Sequence, residues 1–132
     1  MSGFSISDPS VRRLVGEPVD SAQRDVNWVL YWNNVALEAT GRDHAEAKEQ
    51  LGPCRASRAM AIIHLAMFEA YNAIDRFYQS HLNIQVNHYA SAQVAIAQSA
   101  HDSIVALFPA QKNLHNSLLE AYLSAIPESS FK

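Results

Sequence analysis

The chain has 132 residues, 48% of them hydrophobic and 17% charged, with a formal net charge of −3. That length builds one domain with a real core, and the apolar content is too high for a disordered chain. The acidic balance argues against nucleic acid as a partner, and one cysteine rules out an internal disulfide or a multi-cysteine metal knuckle.

Residues 1–20 hold Gly3, Pro9, Gly16 and Pro18 among serines and charges, which reads as a loose or extended arm. It lacks the apolar run of a secretory signal, and no stretch of the chain is apolar enough to span a bilayer, so a cytoplasmic location is expected. Ser21 is a candidate N-cap. From Asp25 to about Thr40, Trp28, Trp32, Val35 and Ala39 recur at helical steps, and Gly41 is the expected stop. Arg42 to Gln50 is charged and offers little to bury, fitting either a short surface helix or a solvated connection before Gly52-Pro53.

The second long helix is expected from about Ala56 to Tyr78. Between Ala59 and Phe68 its only polar side chain is His64, and a helix apolar nearly all round should be the central one. Leu82, Ile84 and Val86 alternate with polar residues, but a helix-to-helix connection suits this segment better than a strand. An alanine-rich helix follows from about Ser91 to Phe108, where small side chains permit close helix approach. Pro109 opens the last helix, with Leu114, Leu118, Tyr122 and Ile126 on one stripe, and Pro127 ends it. The expected architecture is all-α, a bundle of about four main helices over residues 21–127, followed by a polar end at 128–132.

Chemistry-bearing residues are sparse. The histidines show no helical ligand spacing, so His81, His88, His101 and His115 read as surface or capping residues. Glu46 and Glu49, with Asp43 and Lys48 nearby, read as a solvated charged face. Cys54 precedes the central helix beside Arg55 and reads as an incidental free thiol. Four glycines cannot form a phosphate-cradling loop. Ser57-Arg58 with His64 matches a Ser-Arg-(five residues)-His oxyanion signature. On one helix, however, Arg58 and His64 lie roughly 9 Å apart along the axis and about 120° apart around it. That separation prevents both from gripping one small anion, so His64 reads as a core histidine with a hydrogen-bond partner. No residue of the chain is assigned a catalytic, cofactor-binding or metal-binding role.

The segment PCRASRAMAIIHLAMFEAYNAID closely resembles a buried helix in the N-terminal half of bacterial vanadium-dependent haloperoxidase-like proteins. These belong to the superfamily of type 2 phosphatidic-acid phosphatases and vanadate-binding enzymes. The match is carried by Pro53, Ser57, Arg58, Ala59, Ala61, Ile62, His64, Ala66, Met67, Phe68, Ala70, Asn72, Ala73 and Ile74, with Glu69 in place of the usual aspartate. Trp32-Asn33 with Ala36-Leu37 resembles the family's opening helix, and VAIAQSAHDSIVALFPAQ with Leu114, Tyr122, Leu123 and Ile126-Pro127 resembles the two that follow. The likeness covers about residues 26–127.

The resemblance implies that this chain is half of a larger chloroperoxidase-like helical fold. In that family the oxyanion pocket is built from the C-terminal half, by a lysine followed by Arg-Pro, a Pro-Ser-Gly-His segment and a Ser-Arg-x-x-x-Gly-x-His-x-x-x-Asp block. The first two are absent from this chain, and the third departs from the pattern at Phe68, where the aspartate should stand. Vanadate or phosphate is therefore expected only in a complementary C-terminal chain or region. The polar stretch ending at Lys132 reads as an exposed break between helices. The implied function is the non-catalytic N-terminal part of an enzyme that oxidises halide with peroxide, possible as a homo-oligomeric assembly. A phosphatase of the same superfamily and a self-contained helical interaction or dimerisation module are the alternatives.

Overall fold

The computed structural model describes residues 28–76, 78–82 and 91–126. The arm at 1–20, Ser21, His88, most of the 81–89 segment and the end at 128–132 lie outside these residues. Helix α1 spans Trp28–Ala45, α2 Pro53–Asp75, α3 Ala92–Leu107 and α4 Lys112–Ser124, with a 3-10 turn at Pro109–Gln111 leading into α4. No strand occurs among the described residues, so the fold is an all-α bundle.

Gly41 does not stop α1. A glycine weakens a helix without breaking its hydrogen bonds, and the buried stripe of Trp32, Val35, Ala36 and Ala39 continues through Asp43. The stop comes from Asp43, whose carboxylate accepts the backbone N–H groups of Glu49 (2.7 Å) and Gln50 (2.8 Å). Lys48 makes the reversal in the left-handed region, at φ 56°. His44 supports the same turn: Nδ1 donates to the Thr40 carbonyl (2.9 Å) and Nε2 accepts from Gly52 N–H (3.2 Å), which one neutral tautomer satisfies.

Helix α2 begins three residues earlier than periodicity suggested, because Pro53 suits a first turn that needs no N–H and Gly52 enters it at φ 93°. It also ends earlier, at Asp75, where Arg76 closes the helix in the left-handed conformation and donates its N–H to the Asn72 carbonyl. The chain then folds back on α2. The Asn72 side chain both accepts from Tyr78 N–H and donates to Tyr78 O (2.8 Å each), while Glu69 accepts from Ser80 Oγ and from His81 N–H. Ser91 caps α3, its hydroxyl accepting from Val94 N–H (3.3 Å). Helix α4 is shorter than expected and ends at Ser124, before Pro127.

The central position belongs to α3 rather than α2. Helix α3 packs against α1, α2 and α4, and most extensively against α2. Ala97 and Ala100 are fully buried there and let neighbouring helices approach closely at these positions, while Ile96 and Ile104 of the same helix extend into the core. Around it Trp32, Val35, Ile63, Met67, Ile104 and Phe108 fill the core. Trp32 meets Tyr122 of α4 edge to face, with centroids 5.2 Å apart. Helix α2, apolar almost all round, keeps Ala61 and Leu65 exposed within this chain.

Candidate functional site

Ser57, Arg58 and His64 all lie on α2 and do not converge. The Ser57 hydroxyl donates back to the Pro53 carbonyl (2.7 Å), a bond local to the first turn. Arg55 and Arg58 are exposed, and among the described residues neither has a carboxylate partner. His64 turns toward α1, where its Nε2 meets Asn33 Oδ1 at 2.8 Å. The expected hydrogen-bond partner is thus present, although the ring is half-buried rather than part of the sealed core. Cys54 is exposed on the same first turn.

The surface reading fails at His115. Its side chain is completely buried, and Nε2 pairs with Gln111 Oε1 at 3.1 Å. Gln111 in turn donates to the Ala39 carbonyl (2.8 Å), tying α4 to α1. Burial lowers the His115 pKa to about 4, and the positive charge of Arg42 and the neighbouring His101 act in the same direction. The ring is held neutral as a structural element. The i, i+3 and i, i+4 steps from His115 to the buried Leu118 and Leu119 were the available signal. His101 joins α3 to α4 by meeting Asn116 Oδ1 (2.7 Å) while its other nitrogen meets Asp102 (2.8 Å). His81 is exposed.

The supposed solvated face also has internal duties. Asp43 is fully buried as the cap of the α1–α2 turn, and Glu49 accepts from Ala110 N–H (3.1 Å). Both carboxylates serve turns, which need fixed acceptors. Sequence reasoning also missed Glu69 and Asn72, both buried by the returning loop. The hydrogen bond from Ser80, partly opposed by burial and aided by His81 N–H, holds the Glu69 pKa below its ordinary value.

A depression of about 400 Å³ runs along the outward side of α1, bordered by Asn34, Leu37, Glu38, Gly41, Arg42 and Ala45. Glu38 and Arg42 form an ion pair there (3.1 Å). Even so, burial raises the Glu38 pKa against the pull of Arg42. Two carboxylates, Glu38 and Glu46, with one arginine already paired offer no set of cations for an oxyanion.

The residues present do not fit vanadate. An oxyanion site needs several donors converging on one point with an imidazole aimed at it. Here Arg55 and Arg58 are exposed on the first two turns of α2, and His64 is turned to Asn33. Among the described residues, no three His, Cys, Asp or Glu side chains gather as metal ligands. No described helix is long and apolar enough to cross a membrane.

Comparison with known proteins gives two matches. The family model described as the vanadium chloroperoxidase N-terminal domain covers residues 15–129. The vanadium chloroperoxidase of Curvularia inaequalis is 36% identical over 50 residues, which are 38% of this chain and 8% of that protein. The match therefore spans a small part of that relative. No solved structure matches the chain.

Proposed function

The chain belongs to the vanadium chloroperoxidase N-terminal domain family, and from that membership we propose that it is the non-catalytic helical portion of a haloperoxidase-like enzyme. In this reading the vanadate-binding residues reside outside this chain, on a complementary C-terminal portion. The observation that carries it is the divergence of Arg58 and His64. The chain has the family's helices, yet its best local match to an oxyanion signature spends its histidine on Asn33 and leaves its arginines on the surface.

Peroxide-dependent halide oxidation is then a property of the complete enzyme. The chain's own residues build the helical wall: α3 sets the spacing, and the Asn33–His64 and Gln111–Ala39 bonds fix α1 against its neighbours. A self-contained interaction module would bury the apolar side of each helix internally. The exposed Ala61 and Leu65 favour the larger assembly over that reading.

Intact mass measurement of native material, followed by bromide oxidation with added vanadate and peroxide, tests the proposal. We expect these helices to occur with a polypeptide bearing the oxyanion blocks, and activity to require it. Bromide oxidation by this chain alone would overturn the proposal, as would a stable, inactive monomer with no such polypeptide. Phosphate-ester hydrolysis without bromide oxidation would move the assembly to the phosphatase branch.

A further inference from the structure

Helices α1 and α2 run antiparallel, as the contacts Asn33–His64 and Thr40–Met60 require. In that register Leu37 lies across from Ala61, and Leu30 across from Phe68, on either side of the Asn33–His64 bond. Three large apolar side chains along this groove are open to solvent: Leu30 is 59% exposed, Leu37 52% and Leu65 48%. Ala61 is exposed and Phe68 half-buried beside them. Glu69 and Asn72 hold residues 78–82 against the C-terminal half of α2, where Tyr71 is still 39% exposed.

We propose that this α1–α2 groove seats an amphipathic helix of the catalytic portion, carrying an acidic side chain opposite Arg58. The inference rests on this chain being the helical portion of a larger enzyme. Two features select the occupant. On α2 the apolar positions Ala61, Leu65 and Phe68 fall one turn apart and on α1 Leu30 and Leu37 fall two turns apart, spacings met by apolar residues at i, i+3 or i+4 and i+7 of a docking helix. Its α2 end is positively charged: Arg58, with Arg55 one turn before it, has no carboxylate partner among the described residues, so an acidic group on the incoming helix completes the pair. His64 contributes at the floor. Nε2 is engaged by Asn33, and no hydrogen bond among the described residues engages Nδ1, which leaves one polar contact to fix the register of the docked helix.

Single-cysteine footprinting tests this on the chain co-produced with the polypeptide from the same source that bears the oxyanion blocks. In a Cys54→Ser background, Leu37→Cys and Leu65→Cys report the groove and Glu120→Cys reports the exposed side of α4. All three should react with a maleimide in the chain alone. In the assembly, the two groove positions should slow by about tenfold or more while Glu120→Cys stays reactive, the pattern of a desolvated interface core against a free surface. Arg58→Glu should weaken association by about tenfold, and Arg58→Lys should retain most of it, as for a rim charge pair. Equal reactivity of the groove cysteines in an intact assembly overturns the docking proposal while leaving the larger-enzyme reading standing. Failure of the two polypeptides to associate overturns that reading and the proposal together. Protection of Leu65→Cys in a species with the mass of two copies of this chain assigns the groove to self-association instead.

Discussion

His115 sits in the core with its imidazole neutral, and acid is where that choice becomes visible. The folded-state pKa near 4 lies below the ordinary value of 6.5, so the unfolded chain binds the proton first as pH falls. Stability from this group is complete above pH 6.5 and drains away as pH drops to 4, by about 3 kcal/mol over the window. Urea unfolding at pH 7 and at pH 4.5 should show this loss, and His115→Leu should remove most of the difference. An unchanged acid limb in the variant would count against a buried, neutral His115. Asp43 acts by its two accepted N–H bonds, and Asp43→Ala should cost about 3 kcal/mol in chemical denaturation, since charge-assisted bonds at a buried turn are lost without replacement. A cost below about 0.5 kcal/mol, typical of a surface position, would return Asp43 to the solvated face.

These two residues show what could be read without coordinates. Asp43 continues the Trp32–Val35–Ala39 stripe by one more helical step, and His115 precedes Leu118 and Leu119 on theirs, so the periodicity held a sign of burial that the reading as solvated or surface residues passed over. Their polarity argued for the surface, and only the turn that Asp43 caps and the Gln111 bridge to α1 explain why burial is tolerated. His64 was easier, because isolation in an apolar run demands a partner. That the partner is Asn33, 31 positions away, depends on helix pairing and was not legible.

At the scale of elements, helix existence followed from the pattern, whereas centrality did not. Hydrophobic girth marked α2 as the innermost helix, but closeness of approach is decided by small side chains, and α3 has them. Helix α2 instead lies to one side of α3 and keeps Ala61 and Leu65 exposed within this chain. Helix ends shifted for local reasons, with Pro53 starting α2 early and Asp43 carrying α1 past Gly41. Since Gly41 is helical and a methyl group built on it meets nothing within 4 Å, Gly41→Ala should stabilise the chain by about 0.4–1 kcal/mol. Thermal unfolding should show a small rise in Tm; a fall would mean that α1 is not helical through this point.

For the whole molecule, family membership and site chemistry point in different directions until the chain is taken as part of something larger. The helices are those of a vanadium chloroperoxidase N-terminal domain, while the charge distribution leaves two arginines loose on α2 and a histidine turned to Asn33.

Vanadate binding by the isolated chain tests that account most directly. Titrating orthovanadate into the chain alone, followed by calorimetry or vanadium NMR, should give no stoichiometric complex, and Arg58→Ala and His64→Ala should leave the trace unchanged. One tightly bound vanadate per chain, lost in either variant, would contradict it and make Arg58 and His64 the site after all.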